Sequence, residues 1–221
     1  MKVLIVGYGK MGRLVDQLAT DQGHTVAGRV DVSEGDWNTP ADVAIDFTTA
    51  KALKVNFPRY LERKLPVVIG TTGWTERVAE YRAAADKAGI GVVAAANFSI
   101  GVNLFQMIVA EAGRLMTTHA QYGAWIHEAH HAAKLDAPSG TALLLRDAMV
   151  SAGFTHPIDV SSTRAGAIPG THTIGFDSAS DTIELTHTAR DRQGFAAGAV
   201  LAARFVVGRS GWFSMTDVLK G

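Results

Sequence analysis

Lys2-Val3-Leu4-Ile5-Val6-Gly7-Tyr8-Gly9-Lys10-Met11-Gly12 joins a short aliphatic run to three glycines spaced G-x-G-x-x-G, and Met11, Leu14, Val15 and Leu18 continue at helical spacing. A β-branched and aliphatic run that ends at glycine reads as a buried parallel strand. The motif therefore falls between a strand and a helix, where its glycines have separate tasks. They permit a tight turn, close approach of the backbone to a pyrophosphate and close packing of helix on strand, while amides freed at the helix start accept phosphate charge. Gly7, Tyr8, Gly9, Lys10, Met11 and Gly12 are thus candidate cofactor-binding residues. Glycine-rich turns also occur in sheets that bind nothing. What favours a dinucleotide is the whole set of strand, turn, helix and, nineteen residues after Gly12, Asp31 at the end of the next strand.

Asp31 bears on which dinucleotide is held. A carboxylate pairs with a free ribose 2′-hydroxyl and repels a 2′-phosphate, and Val32-Ser33-Glu34-Gly35-Asp36 supplies no cation to offset it. Arg29, Lys10 and Arg13 are the cations within reach. NADH is favoured over NADPH as cofactor.

Outward from this stretch the first half alternates. Residues 24–30, 43–47, 66–69 and 91–95 read as further strands, and 50–61 and 75–88 as helices, a pattern that predicts a parallel sheet covered on both faces. Two strand ends carry turn residues, Asp46-Phe47-Thr48-Thr49 and Gly70-Thr71-Thr72-Gly73. Ligands of open α/β sheets sit outside the carboxyl ends of the strands, so Phe47, Thr48, Gly70, Thr71 and Thr72 join the cofactor candidates. Ordinary turn chemistry would account for either loop alone.

From residue 101 the pattern changes. Residues 101–115 are a predicted helix with Leu104, Ile108 and Leu115 on one side, 121–128 a strand, and 141–150 a helix given a buried side by Leu143, Leu144 and Leu145. Three β-like runs, 158–162, 171–176 and 182–188, precede an apolar helix at 196–207 and a short tail at 212–219. Strands with few crossover helices predict a mixed or antiparallel sheet. The fold class is therefore α/β: a Rossmann-type doubly wound parallel sheet plus a smaller α+β domain with a mixed sheet. Such a sheet offers a broad face to other subunits, so a homo-oligomer is expected.

Glu128-Ala129-His130-His131-Ala132-Ala133-Lys134-Leu135-Asp136-Ala137-Pro138-Ser139-Gly140-Thr141-Ala142 places two imidazoles and an ammonium before a loop that opens a helix. It combines a proton donor, positive charge and an anion-accepting helix end, the makings of a site for a small acidic molecule. His127-Glu128-Ala129-His130-His131 also satisfies H-E-x-x-H, but zinc hydrolysis needs His127 and His131 on one helix face. The preceding residues alternate like a strand, so no metal is expected and His127 is left as a strand or core histidine.

Lys+Arg and Asp+Glu are both 21, which gives no net field to favour nucleic acid or an acidic membrane surface. Hydrophobic content of 47% and charged content of 19% describe a globular chain. With no cysteine there is no disulfide, thiolate metal site or cysteine nucleophile. No apolar run approaches the roughly twenty residues that span a bilayer, and a cytoplasmic protein is expected.

The block from Glu128 to Ala142 resembles the signature of the 4-hydroxy-tetrahydrodipicolinate reductase (dihydrodipicolinate reductase) family of the diaminopimelate route to lysine. Gly7 to Gly12, Asp46-Phe47-Thr48, Gly70 to Gly73, Ala96 to Asn103, Arg164-Ala165-Gly166, Gly170-Thr171-His172, Glu184 to His187 and Met215 to Leu219 fit the same family in order. The resemblance implies NAD(P)H-dependent reduction of a cyclic dicarboxylate imine. It implies that His130 is the general acid, Lys134 a second proton or charge donor, His131 a contact of the substrate carboxylate, and Gly140 with Thr141 a carboxylate clamp. It further implies that Gly70 to Thr72 and Ala95, Ala96, Asn97 and Phe98 hold the nicotinamide and its ribose, that the enzyme is a homotetramer, and that the tail returns to the nucleotide domain. The domains are then 1–99 with 207–221 for the dinucleotide and 100–206 for substrate and oligomerisation, with closure between them excluding water. The chain departs from the family in the short segment between Asp31 and Asp46 and in its compact six-residue glycine motif; both touch the adenosine end.

Two other readings share some of these features. Another two-domain dehydrogenase acting on an amino acid or semialdehyde would need the glycine loop but not the His-His/Lys/Ser-Gly-Thr block. A non-catalytic dinucleotide sensor would need neither imidazole nor lysine.

Overall fold

The computed structural model describes residues 1–32 and 34–221. The first half runs β1 (Lys2–Val6), α1 (Lys10–Asp21), β2 (Thr25–Val30), β3 (Val43–Asp46), α2 (Ala50–Glu62), β4 (Val67–Ile69), a 3-10 turn (Thr75–Arg77), α3 (Val78–Ala88) and β5 (Gly91–Ala94). It continues through α4 (Ile100–Met116), β6 (Gly123–His130), α5 (Gly140–Ser151), β7 (Ile158–Arg164), β8 (Thr171–Asp177), β9 (Thr182–Thr188), α6 (Gln193–Val206), β10 (Gly211–Phe213) and α7 (Met215–Lys220). Two compact units result, Met1–Ile100 with Arg192–Gly221, and Gly101–Asp191.

In the first unit β10-β5-β4-β3-β1-β2 form one six-stranded sheet, parallel throughout. Side chains alternate across it. Val3 and Ile5 face Val15, Ala19, Ala199, Val200 and Ala203, while Leu4 and Val6 face Leu53, Phe57 and Tyr60. Both faces are thus covered, which is why the opening run is aliphatic without interruption. Strand β1 lies between β2 and β3, so the chain's direction of travel across the sheet reverses there. The crevice outside the carboxyl ends at such a switch point is where doubly wound sheets hold ligands.

Helix α6 corrects the domain expectation, which had carried it with the second half to residue 206. It packs on α1 and on β3, β4 and β5 of the first sheet. The helix is apolar nearly all round, and seven of its residues are buried; such a helix does not announce which sheet it covers. Its small residues allow the approach. A Cβ on Gly198 would run into the carbonyl oxygen of Phe98, a backbone atom that cannot swing aside. Gly198→Ala is expected to cost about 2–3 kcal/mol of stability and to lower the thermal midpoint by roughly 5–10 °C; an unchanged melting curve would show that α6 slides without penalty.

The second unit is a four-stranded mixed sheet, β7-β6-β8-β9, parallel between β6 and β7 and antiparallel elsewhere. Helices α4 and α5 contribute Phe105, Val109, Leu145 and Met149 to a core with Ile126, Ile174 and Phe176 from the strands. The buried side of α4 is Val102, Phe105, Val109 and Gly113. Leu104, Ile108 and Leu115, the stripe expected from sequence, are exposed, as is Leu144 of α5. Both stripes of α4 have helical period; close approach decides between them, because a Cβ on Gly113 would already lie 3.1 Å from Met149. The other sheet face carries Trp125 laid on Gly175, where any Cβ would strike the indole, and exposed hydroxyl pairs Thr171–Thr188 and Thr173–Thr186. Among the described residues no helix is long and apolar enough to cross a membrane.

Candidate active site

The glycine turn has the geometry that a dinucleotide requires. Gly7 sits at φ +87°, a conformation side chains rarely adopt, and a Cβ there would come within 2.5 Å of the Phe47 carbonyl oxygen. Gly12, buried in the first turn of α1, packs directly under the Gly7 carbonyl. Gly9 is the N-cap of α1, has no side-chain cap, and faces open space in which an added Cβ would meet nothing within 4 Å. The first amides of α1 are therefore free to receive an anion. Gly7, Gly9, Asp31, Phe47 and Thr48 line one cleft of about 510 Å³, which continues over Trp37 and Arg59. Tyr8, Lys10 and Met11 flank that turn; the Tyr8 hydroxyl bonds the Asp16 carboxylate.

Arg29 does not reach Asp31. Its guanidinium is paired with Asp16 at 2.5 and 2.8 Å and with the Tyr8 hydroxyl at 3.2 Å. Hydrogen bonding from Arg29 holds the Asp16 carboxyl below its usual range. Arg13 stacks on Tyr8 as well, 5.7 Å from its ring centre. Arg59 stands 4.7 Å over the Trp37 ring on the cleft wall.

Asp46 is a residue that the sequence reading passed over. Fully buried at the end of β3, it accepts from the Thr48 amide (3.0 Å) and hydroxyl (2.6 Å), the Thr71 hydroxyl (3.0 Å), Asn56 (3.2 Å) and Tyr60 (2.7 Å). Burial, and then the Asp46 charge, push the Tyr60 phenol well above its ordinary pKa. One carboxylate thereby ties the loop after β3 to the loop after β4. Thr48 and Thr71 spend their hydroxyls on Asp46 and shape the site through backbone. Gly70 lets the Phe47 ring lie against the chain, and Phe47 meets Phe98 edge-on at 6.0 Å. Thr72 and the segment Ala95, Ala96, Asn97 and Phe98 follow β4 and β5 at the same sheet end, with Asn97 Oδ1 accepting from the Ser99 amide at 2.8 Å.

In the second unit the expected strand end moves. β6 runs on to His130, so Ala124, Ile126, Glu128 and His130 alternate onto the helix-covered face while Trp125 and His127 point the other way. Glu128 has no exposed side-chain surface. Its carboxylate accepts from Arg164 (3.0 and 2.6 Å), from the Ser139 amide (3.2 Å) and from the ring of His130. Burial raises its pKa, but hydrogen bonds from Arg164, Ser162, His130 and Ser139 outweigh that and bring it to about 2. Ser139 caps α5 by accepting from the Ala142 amide, and its hydroxyl pairs with His172 at 3.1 Å. His172, across the sheet from Glu128, is pushed down to about 4, first by burial and then by His130.

Lys134 and the helix start converge on the same loop. Lys134 Nζ lies 2.7 and 2.9 Å from the two oxygens of Asp136. Hydrogen bonding from Lys134 holds the Asp136 carboxyl below its ordinary range, and the Gly140 amide adds to it. An exposed carboxylate of the chain thus already draws on the lysine expected to be a proton or charge donor and on the Gly140 amide expected to clamp a substrate carboxylate. Gly140 opens α5 with clear space around it, and Thr141 follows. His131 lies just beyond the strand.

The H-E-x-x-H pattern is not on a helix. His127 bonds Ser161 at 2.9 Å on the opposite sheet face from Glu128. Glu128, His130 and His172 present ligand atoms within 4.8 Å of one another. Glu128, however, is already saturated by Arg164, Ser139 and His130, and a guanidinium beside a carboxylate repels a cation. The cluster is a carboxylate, guanidinium and imidazole network closed by hydrogen bonds. Glu128, Arg164, Ser139 and His172 lie in stretches quoted for the family resemblance but were given no role from sequence; for Glu128 the available signal was the alternation of 124, 126, 128 and 130 onto one face.

A glycine turn with open helix amides in one unit and a buried carboxylate bonded to arginine and histidine in the other are features of a two-unit nicotinamide-dependent oxidoreductase. Family models for the dihydrodipicolinate reductase N-terminus and C-terminus match residues 1–98 and 101–219. The chain belongs to the dihydrodipicolinate reductase family, and its cofactor is a nicotinamide dinucleotide. It is 36% identical over 234 residues to 4-hydroxy-tetrahydrodipicolinate reductase of Christiangramia forsetii, covering 100% of this chain and 98% of that one. It is 36% identical over 253 residues to the enzyme of the same name from Methanoregula boonei, with 99% and 97% covered. A dihydrodipicolinate reductase from Paenisporosarcina sp. TG-14, solved with dipicolinate bound, shares the fold at TM-score 0.84 and 22% identity over 97% of each chain.

Proposed function

We propose that the chain reduces 4-hydroxy-tetrahydrodipicolinate to tetrahydrodipicolinate with NAD(P)H, a reading supported by relatives named 4-hydroxy-tetrahydrodipicolinate reductase. The observation that supports it best is the pairing of His130 with the buried Glu128 carboxylate, joined through Arg164 to the loop of Lys134 and followed by an α5 start whose Gly140 faces open space. Loss of the 4-hydroxyl as water leaves a C=C bond conjugated with the C=N bond; hydride adds at the far carbon of that system, the electron pair shifts to nitrogen, and a proton is taken up there. A nicotinamide supplies the hydride when bound, and the chain supplies the rest. His130 is the general acid for the nitrogen, and Lys134 stabilises or supplements that proton transfer. His131, with the amides of Gly140 and Thr141, holds a substrate carboxylate at a helix start. Leaving Asp136 in exchange for substrate keeps Lys134 paired throughout.

Gly7 to Gly12 hold the pyrophosphate, and Phe47, Thr48, Gly70, Thr71, Thr72 and Ala95 to Phe98 the nicotinamide side. Asp31 takes the adenine ribose and favours NADH, because Arg29 and Arg13 are engaged with Asp16 and Tyr8. Arg59 remains a cation on that wall, so the discrimination is a preference and not an exclusion. The open face of the second sheet, with Trp125 and its threonine rows, is the surface for assembly into a homotetramer; a cytoplasmic location goes with the reading.

The test is steady-state turnover of the condensation product of pyruvate and aspartate semialdehyde with NADH and NADPH side by side. No turnover with either rejects the activity. Asp31→Ala is expected to raise the NADPH/NADH ratio of kcat/KM about tenfold by removing the charge that repels the 2′-phosphate; an unaltered ratio removes Asp31 from ribose recognition.

A further inference from the structure

Burying a carboxylate as completely as Glu128 is costly unless its oxygens are paired. Arg164 alone meets most of that need, with one nitrogen on each oxygen. The contacts extend further. One oxygen is shared with His130 Nδ1 and the other with the Ser139 amide. Arg164 Nη2 also donates to the Asp136 carbonyl at 2.6 Å, in the loop that carries Lys134. A single ion pair therefore touches the ring of the acid, the loop of the lysine and the cap of α5.

The remaining sides of the His130 ring are arranged differently. Gly170 sits at φ +135°, and a Cβ there would lie 3.1 Å from His130 Nε2. A glycine at that position keeps side-chain atoms away from the second ring nitrogen. His172 stands edge-on to the ring, centroids 5.1 Å apart, and is itself fixed by the Ser139 hydroxyl. Around the ring stand the Glu128 carboxylate with its Arg164 partner and the His172 imidazole, and Glu128 is the one bonded to it.

We propose that Glu128, held by Arg164, is a positioning residue for the reduction: it takes the Nδ1 proton of His130 and so fixes the tautomer and ring orientation that leave Nε2 for the substrate. Through Ser139 and Arg164 the same carboxylate sets the α5 amides and the Lys134 loop in one frame. When His130 gives its Nε2 proton to the imine nitrogen, the neutral ring that remains is the Nδ1–H tautomer, which Glu128 accepts without rearrangement. The inference rests on His130 being the acid.

Two measurements test it. The ¹⁵N spectrum of the His130 ring in the wild-type enzyme, above the pH at which it deprotonates, is expected to show Nδ1–H; an Nε2–H ring overturns the proposal with no variant needed. Glu128→Gln keeps the side-chain volume and removes the charge. It is expected to lower kcat by about 10- to 100-fold, the loss typical when the group orienting a functional histidine is removed, with the Kd for NADH unchanged and the Nδ1–H signal lost. A folded variant with wild-type kcat, or with reduced kcat and an unaltered ring spectrum, overturns it. If the variant does not fold, the wild-type spectrum decides. Retained turnover in His130→Ala would instead bring down the acid assignment, whatever the tautomer.

Discussion

His130→Ala is expected to lower kcat by about 10²- to 10⁴-fold, the contribution of a positioned general acid, while the Kd for NADH stays within about twofold. The separation follows from where the residue sits. His130 ends β6 in the second unit, whereas the cradle of Gly7, Gly9 and Phe47 belongs to the first. On the role proposed for it, removing the imidazole takes away the proton delivered as hydride reaches carbon, a transition-state contribution. A loss in kcat and kcat/KM together is the pattern of a group that acts in the transition state. The variant also strips Glu128 of one donor, but Arg164 and the Ser139 amide remain on the carboxylate. The fold should therefore persist, and a thermal melt run beside the kinetics checks that. Unchanged turnover would remove His130 from the chemistry.

What the sequence made legible was what local signals encode. A strand, a glycine turn and a helix are contiguous in residues 2–21, so period and punctuation suffice to read them. The register of the second sheet is not contiguous. Glu128 faces His172 and Ser162, and His130 faces Arg164, through pairings that join segments more than thirty residues apart. Strand propensity fades at Glu128, yet pairing on both edges carries β6 two residues further, and those two residues put the His130 ring beside the Glu128 carboxylate. Asp46 illustrates the same limit. As one letter in a turn it looks like surface; as the end of a central strand it is buried and binds two loops together. For α4, two stripes of equal period competed, and only the tight passage at Gly113 decided between them.

Gly9→Ala is expected to weaken NADH binding by about 10²-fold, about 2.7 kcal/mol, with the thermal midpoint nearly unmoved. Two features of Gly9 make this expectation specific. Its backbone is extended, φ −78° and ψ −157°, so alanine adopts it without left-handed strain, and the added Cβ meets no protein atom within 4 Å. The same Cβ lies on the cleft side of the uncapped start of α1, the place proposed above for the pyrophosphate. The methyl group is therefore harmless to the folded chain and obstructive to the ligand. Gly12→Ala supplies the contrast. Its Cβ would run into the Gly7 carbonyl, so α1 must shift from β1 and the thermal midpoint should fall along with affinity. Calorimetric titration with NADH, paired with melting curves, separates the two. A Gly9→Ala protein that binds NADH like the wild type would mean the dinucleotide does not lie against this turn. One that loses affinity and stability together would mean the space around Gly9 is needed by the protein itself.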